Sequence, residues 1–216
     1  MRVIYAFFWN TWADETDAER IHVIGYSAGT RLVARTLEQM ALMNHDREVE
    51  EIHTDLKLDR VILIGSDMDR NVFGAYLADG LLTVPQHLSI YISEKDQALS
   101  LSRFLTKRER LGEMWAQDMD PANAEYLHRN EAEISIINVT EARQATTGNG
   151  HGYFRQSPWA SSDILTMLAY GLSPPERGLV RGGESPIWSF PADYIERLRA
   201  AIIKANPDLK KALEKN

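Results

Sequence analysis

A single segment of this chain, IHVIGYSAGTRLVARTL at residues 21–37, constrains the fold more than any other, because two different apolar patterns meet in it at a serine. The residues before the serine, at 21–24, form a short apolar run that is typical of a buried strand. After it, apolar side chains recur at helical spacing, at Leu32, Val33, Leu37 and Met40. We therefore predict that Ser27 lies on a sharp turn from a strand into a helix.

Glycines stand two positions before and two positions after this serine, at Gly25 and Gly29. A strained strand-to-helix turn that exposes a serine hydroxyl demands small residues at both positions, and glycine meets that steric demand. The pattern is typical of a nucleophile elbow. The alternative is a glycine-rich turn with an inert serine, since G-x-S-x-G also arises by chance.

The composition limits the classes of protein to which this chain can belong. Its 216 residues, 44% of them hydrophobic, suit one domain with a substantial core. The 31 acidic residues outnumber the 24 basic ones, so the chain lacks the basic field that drives nucleic-acid binding. Cysteine is absent, which excludes disulfides, thiol nucleophiles and cysteine metal sites. The histidines and carboxylates also lack the i,i+4 pairing of metalloenzymes, so we expect no metal and no cofactor.

The chain carries no sequence signal for a membrane or for secretion. No apolar run approaches the length of a membrane span, and the first residues lack the long apolar core of a signal peptide. We therefore expect a soluble protein and favour the cytoplasm. Because Met1 opens almost directly into a strand pattern, the natural protein could also have an upstream segment.

Apolar and β-branched runs alternate with helical patterns along most of the chain. The predicted strands cover residues 3–8, 21–24, 61–64, 88–92 and 134–139. The predicted helices cover residues 28–42 and 71–81, with two or three more between 97 and 130. Strands that alternate with helices favour an α/β fold, with a mostly parallel sheet and helices on both faces.

The composition changes near residue 172, where we expect the main domain, residues 1–172, to end. Gly171 marks the end of a helix that starts near residue 162. We expect residues 173–216 to form a C-terminal arm that packs on the domain. Its expected anchors are Ile187, Trp188 and Phe190, and two prolines each open a short helix in it, Pro191 and Pro207.

A serine hydroxyl is a poor nucleophile at neutral pH, so Ser27 needs a base to accept its proton and an acid to orient that base. Histidine is the usual base. His151 lies between glycines in the loop after the last predicted strand, and such a loop lets an imidazole approach another loop closely. We predict that His151 is the base. Surface or packing roles are expected for the other histidines, His22, His45, His53, His87 and His128.

Two aspartates are candidates for the orienting acid, because each follows a strand that lies between the serine and the histidine in sequence. Asp96 follows the strand at 88–92, and Asp67 follows the strand at 61–64. We favour Asp96, since its strand is nearer to the one that precedes the histidine, and keep Asp67 as the alternative acid. Asp67 and Asp69 have a structural alternative too, which is to cap the helix that follows them.

The order serine, acid, histidine, with each residue after a strand, resembles the α/β-hydrolase superfamily. Within it, the chain is similar to the hydrolase family catalogued as domain of unknown function 900, over roughly residues 21–171. The segments that carry the similarity are HVIGYSAG at 22–29, DMDRNVF at 67–73, YISEKDQAL at 91–99 and GHGYF at 150–154. The resemblance implies a triad in which the acid after the penultimate strand pairs with the histidine after the last one. It also implies a truncated α/β-hydrolase fold, in which the strands that usually precede the elbow are shortened or missing.

The resemblance further implies an oxyanion hole with two hydrogen-bond donors. The backbone N–H of Ala28, directly after the serine, is the expected first donor. The His-Gly motif that usually supplies the second does not precede the elbow. We therefore expect the second donor from Trp9 or Asn10, in the loop after the first predicted strand, because about a dozen residues separate that strand from the next, enough for a parallel crossover.

These observations favour a serine hydrolase that cleaves a small-molecule carboxylic ester through an acyl-enzyme. Two alternatives are an acyltransferase with the same triad and a catalytically idle relative that serves as an interaction module. Tyr26 and Tyr153 are candidate substrate-binding residues near the strand ends, whereas core or surface packing is expected for most other aromatic side chains. A homodimer is also compatible with the sequence, since a partner subunit would cover an exposed sheet edge.

Overall fold

Helices and strands alternate along the part of the chain that the computed structural model describes, residues 4–96, 111, 121–143, 151–183 and 185–209. The described strands are β1 (Ile21–Tyr26), β2 (Leu58–Ile64), β3 (His87–Ile92), β4 (Ile134–Asn138), β5 (Val180–Arg181) and β6 (Ile187–Ser189). The described helices are α1 (Ile4–Glu15), α2 (Gly29–Met43), α3 (Val49–Leu56), α4 (Arg70–Ala78), α5 (Pro121–Arg129), α6 (Tyr153–Gln156), α7 (Pro158–Tyr170) and α8 (Tyr194–Ala205), with a 3₁₀ turn at Leu81–Thr83. In these ranges, no helix combines the length and the apolar character that a bilayer-spanning helix needs.

The described strands join in one sheet with the order β1, β2, β3, β4, β6, β5. The first five in that order run parallel, and β5 pairs antiparallel with β6 at one edge. The predicted α/β class, with a mostly parallel sheet and helices, is confirmed. Because parallel strands all end at the same edge of a sheet, the loops after β1, β2, β3 and β4 meet there.

The sheet is covered on both faces, and β2 shows how. Successive side chains of a strand point to opposite faces. Val61 and Leu63 belong to the apolar cluster that includes α2, α3 and α4, whereas Ile62 and Ile64 belong to the cluster that includes α7 and α8. This two-sided burial explains why β2 reads as a nearly continuous apolar run.

Local sequence signals set several helix ends. The Asp69 carboxylate caps α4 by accepting hydrogen bonds from two backbone N–H groups of the first turn. Ser157 caps α7 by accepting a hydrogen bond from the Ala160 N–H, with Pro158 in the first helical position, so this helix begins four residues before the predicted start near residue 162. Gly171 ends α7 with a φ of +65°, a left-handed conformation that suits glycine.

The predicted strand at residues 3–8 is wrong, because residues 4–8 belong to helix α1. An unbroken apolar run is compatible with a strand or a buried helix, and tertiary packing decides between them. α1 packs on α2 and α3, and its Trp9 contacts the apolar cluster on that face of the sheet. The indole N–H of Trp9 donates to the Leu56 carbonyl at 2.9 Å. The loop that we expected after a first strand therefore does not exist.

The predicted C-terminal arm extends the sheet, because β6 pairs with β4 and β5 pairs with β6. The sequence did not indicate these strands, since two- and three-residue strands are too short to show a period. The three expected anchors, Ile187, Trp188 and Phe190, are buried. The helix expected after Pro191 is α8, whereas most of the helix expected after Pro207 lies outside the described residues. Of the two or three helices expected between 97 and 130, α5 is described, and residues 97–110 and 112–120 lie outside the described part.

Candidate active site

Ser27 lies at the carboxyl end of β1, on the turn into α2. Its φ of 51° is left-handed backbone, which non-glycine residues rarely adopt and which strains the turn. Gly25 lets α2 pack closely on β1, because a Cβ there would lie 3.1 Å from the Thr30 Cα and 3.2 Å from the Val33 side chain. The prediction that Gly29 also meets a steric demand is wrong, since a Cβ at that position meets no atom within 4 Å.

Hydrogen bonds hold this turn against the end of β2. The Ser27 N–H donates to the Ile64 carbonyl at 2.9 Å. The Ser27 carbonyl accepts from the Thr30 N–H at 3.0 Å and from the Thr30 hydroxyl at 2.6 Å. The buried hydroxyls of Thr30 and Ser66 lie 2.8 Å apart, which joins the turn to the loop after β2. The sequence analysis missed both residues, although a threonine three positions after the serine, at a helix start, is a signal for such bonding.

The imidazole of His151 lies between Ser27 and Asp96. Its Nε2 is 2.9 Å from the Ser27 Oγ, and its Nδ1 is 2.6 Å from the Asp96 Oδ2. Asp96 is fully buried in the loop after β3, whereas the His151 side chain keeps 12% of its surface exposed. The structure thus brings together the three residues that the sequence analysis favoured, in the geometry that a proton relay needs.

The alternative acid, Asp67, lies elsewhere. Its carboxylate pairs with the Arg31 guanidinium on α2, with the Arg31 Nε 2.9 Å from the Asp67 Oδ1. Both imidazole nitrogens of His151 are already engaged, by Ser27 and by Asp96. The hypothesis that Asp67 orients the histidine is therefore wrong, and its partner is the arginine one helical turn after the serine.

Gly65, at the end of β2, allows the imidazole to lie where it does. Its φ is +54°, and a Cβ built on it would be 3.1 Å from the His151 Cε1 and 3.6 Å from the Asp96 Oδ2. Any side chain at this position would push against the histidine. The sequence analysis did not single out Gly65, because the need for glycine comes from a residue that is 86 positions away in sequence.

The two candidate substrate-binding tyrosines differ in their surroundings. Tyr26 is half-buried, and its ring centroid lies 5.0 Å from that of His151 and 4.8 Å from that of Phe154. It borders the triad, and its role in binding substrate stays a prediction. Tyr153 is fully buried, so the prediction that it contacts substrate is wrong. Its hydroxyl accepts from the Gly65 N–H at 2.8 Å and donates to the Tyr91 carbonyl at 2.7 Å.

A comparison with known protein families identifies the family of this chain. The family model of an alpha/beta hydrolase of unknown function, DUF900, matches residues 6–167, which is most of the chain. The chain belongs to this α/β-hydrolase family. The matched range contains all three residues of the Ser27, His151 and Asp96 relay. No curated protein and no solved structure matches the chain.

In this α/β hydrolase, the helix that follows the serine faces the site with its amino end. Ala28 precedes α2, is exposed, and its N–H donates to no other residue in the described part of the chain. The positive end of the α2 dipole adds to the attraction that this N–H offers to a negative charge beside Ser27. Ala28 therefore remains the expected first oxyanion donor.

The expected second donor is not in the predicted place. The Trp9 indole N–H is used by the Leu56 carbonyl, and Asn10 lies within α1 and not in a loop after a strand. Because α1 packs on α2 and α3, the hypothesis that Trp9 supplies the second donor is wrong. The expectation for Asn10 rested on a loop after a first strand, and that loop does not exist.

The protein also has an apolar groove of about 440 Å³ between α1, α2 and the sheet. Phe8, Trp12 and Leu32 line it, and none of the three relay residues does. The groove is therefore separate from the chemistry at Ser27. Among the described residues, no group of three or more histidine or carboxylate side chains is arranged to hold a metal ion.

Proposed function

We propose that this protein is a serine hydrolase that cleaves small-molecule carboxylic esters. The observation that carries the proposal is the continuous relay from Asp96 through His151 to Ser27, with contacts of 2.6 and 2.9 Å. The left-handed backbone at Ser27 supports it as well, because strain of this kind is expected where a side chain must be presented to a substrate.

The reaction follows from the relay. The Ser27 Oγ attacks the ester carbonyl carbon and forms a bond to it, while its proton passes to the His151 Nε2. The Asp96 carboxylate holds the Nδ1–H of the imidazole and stabilises the imidazolium. His151 then gives the proton to the leaving alcohol, and an acyl-enzyme remains on Ser27. A water molecule, activated by the same imidazole, releases the acid and restores the hydroxyl.

The negative charge of the tetrahedral intermediate needs donors that point at it before it forms. The Ala28 N–H and the amino end of α2 are the groups of the described residues that suit this role. Removal of one such donor typically lowers kcat about 10²- to 10³-fold, so this site contributes to the rate in addition to the relay.

An ester is favoured over other acyl substrates by analogy with the most frequent use of the fold. An acyltransferase would share every step up to the acyl-enzyme and would differ in the final acceptor. Product analysis with an added alcohol or thiol separates the two, because an acyltransferase forms a new ester or thioester where a hydrolase forms the free acid.

The activity is tested with activated short-chain esters, such as p-nitrophenyl acetate and p-nitrophenyl butyrate. Ser27→Ala is expected to lower kcat by about 10⁴-fold or more, since the relay acts as a unit. Ser161→Ala is the matched control, because its hydroxyl bonds to the Ser157 and Pro158 carbonyls at the start of α7 and not to the relay. Esterase activity retained in Ser27→Ala would overturn the proposal. Absence of any turnover by the folded wild-type protein would favour the idle interaction module instead.

A further inference from the structure

One buried hydroxyl ties three segments of the site together. Tyr153 follows His151 by two residues, and its side chain is fully buried. Its hydroxyl donates to the Tyr91 carbonyl on β3 at 2.7 Å and accepts from the Gly65 N–H after β2 at 2.8 Å. The ends of two neighbouring strands are thus joined to the segment that carries the histidine.

Each segment that Tyr153 joins bears on the position of the imidazole. Gly65 is the residue against which the His151 ring lies, with only 3.1 Å between the His151 Cε1 and a Cβ built on Gly65. Tyr91 lies on the strand that leads into the loop of Asp96. The hydroxyl therefore connects Gly65, which lies against the imidazole, with the strand that leads to Asp96. Through the Tyr153 side chain, it also connects both to the segment that carries His151.

The chemistry of the phenol suits a fixed role of this kind. Burial, together with the nearby charge of Asp96, raises the pKa of Tyr153 well above its usual value, so the hydroxyl stays protonated and keeps its donor. Without the hydroxyl, the Gly65 N–H would retain only a longer bond of 3.3 Å to the Tyr91 carbonyl. A buried backbone group that loses a partner tends to shift toward another one, which here means movement beside the imidazole.

We propose that Tyr153 is a positioning residue that holds His151 in line between Asp96 and Ser27. This inference rests on the proposed function. Tyr153 touches no reacting atom and acts through the histidine. A displacement of the imidazole by a fraction of an ångström weakens the bond to the Ser27 Oγ, and misplacement of about 1 Å can cost about 10²-fold in rate.

The test uses Tyr153→Phe, which keeps the ring and removes only the hydroxyl. The expected result is a 10- to 100-fold fall in kcat for p-nitrophenyl butyrate, at a KM within about twofold of the wild-type value, because substrate binding does not involve this residue. Tyr194→Phe is the matched control. It also removes a buried hydroxyl, one that bonds the Asp163 carboxylate at 3.1 Å, and it should leave kcat within about twofold.

A second readout does not need turnover. The Nδ1 proton that His151 shares with Asp96 should give a low-field proton NMR resonance in the wild-type protein and in Tyr194→Phe. Tyr153→Phe should lose or broaden it. If Tyr153→Phe does not fold, a variant with 4-aminophenylalanine at this position replaces it, since it keeps a donor to Tyr91 and weakens the acceptor for Gly65.

The outcomes separate the two proposals. A wild-type protein that neither hydrolyses esters nor reacts with a fluorophosphonate overturns the proposed function, and the NMR comparison alone then decides the role of Tyr153. Wild-type kcat and an unchanged low-field resonance in Tyr153→Phe overturn the positioning role. A parallel loss of kcat in Tyr194→Phe overturns it too, because any buried hydroxyl would then have the same effect.

Discussion

Two aspartates in the part of the chain that the structure describes are 0% exposed, Asp96 and Asp163, yet their surroundings differ. The Asp163 carboxylate faces the guanidinium of Arg177, which is 1% exposed, with the Arg177 Nε 2.7 Å from the Asp163 Oδ1. The Tyr91 and Tyr194 hydroxyls donate to the same carboxylate at 2.6 and 3.1 Å. Asp96 instead faces the imidazole of His151, whose other nitrogen contacts the partly exposed Ser27.

The difference shows how a buried carboxylate serves two purposes. Around Asp163 every charged partner is enclosed, and the network joins β3, α7 and the segment that leads to β5. Removing either the Asp163 or the Arg177 side chain would leave a buried charge without its counterion, so this network bears on stability. Around Asp96 the relay ends at a half-exposed hydroxyl on a strained turn, so it bears on chemistry. Tyr91 belongs to both regions, through its hydroxyl and its carbonyl.

Asp96→Asn removes the carboxylate that orients His151 and is expected to have the largest effect on activity. We expect kcat for p-nitrophenyl butyrate to fall by about 10⁴-fold, since an amide no longer stabilises the imidazolium and favours the wrong tautomer. The free energy of unfolding should change far less than it does on disruption of the Asp163 network. Steady-state kinetics and urea unfolding measure both quantities.

Asp67→Asn is the matched control for this variant. Asp67 also follows a strand, but its partner is Arg31 in an ion pair that is largely exposed on the arginine side, and such pairs contribute about 1 kcal/mol or less. Near-wild-type kinetics are therefore expected. A larger loss of kcat in Asp67→Asn than in Asp96→Asn would reverse the assignment of the acid.

Asp163→Asn removes the buried ion pair between Asp163 and Arg177. The substitution leaves the buried guanidinium of Arg177 uncompensated, and we expect the free energy of unfolding to fall by about 3–5 kcal/mol. Urea unfolding at neutral pH measures the loss. Below the unfolding transition, the folded fraction should keep kcat within a few-fold of the wild-type value. A loss of stability under about 1 kcal/mol would contradict the view that this network is structural.

A further effect on stability, which depends on pH, comes from a buried histidine at the other end of the sheet. His87 bonds the Ala132 carbonyl through Nδ1 at 2.8 Å and the Ser135 hydroxyl through Nε2 at 3.0 Å. Burial lowers the pKa of His87 to about 4, from a usual value of 6.5. Since the unfolded chain binds the proton more readily, the stability from a neutral His87 is fully present above pH 6.5. It is lost as the pH falls toward 4, by up to about 3 kcal/mol.

This pH dependence is measured as the difference in unfolding free energy between pH 7.5 and pH 4.5, for the wild-type protein and for His87→Gln. Subtracting the change in the variant from the change in the wild-type protein removes the contributions of the carboxylates and of the other histidines, because both proteins share them. The wild-type protein should lose more stability than the variant over this range. Equal losses in the two proteins would show that His87 titrates in the folded state as it does in the unfolded chain.

The sequence alone predicted the parts of the site that depend on local pattern. Ser27, Asp96 and His151 each follow a strand with a clear apolar run, and their order limited the acid to two candidates. The helix at residues 4–15 could not be told from a strand, because the same apolar run suits either structure until packing on α2 and α3 decides. Gly65 and Tyr153 escaped prediction because their roles depend on contacts between residues far apart in sequence. The strands β5 and β6 are too short to show a period.

The central claim is that Ser27 is a nucleophile whose proton His151 accepts. Incubation of the folded protein with a fluorophosphonate, followed by peptide mass spectrometry, tests it without any assumption about the substrate, because the serine oxygen displaces fluoride from phosphorus. The account predicts one covalent adduct, on the peptide that contains Ser27, that is absent from Ser27→Ala and strongly reduced in His151→Ala. An unlabelled wild-type protein, or a label that persists in Ser27→Ala, would contradict it.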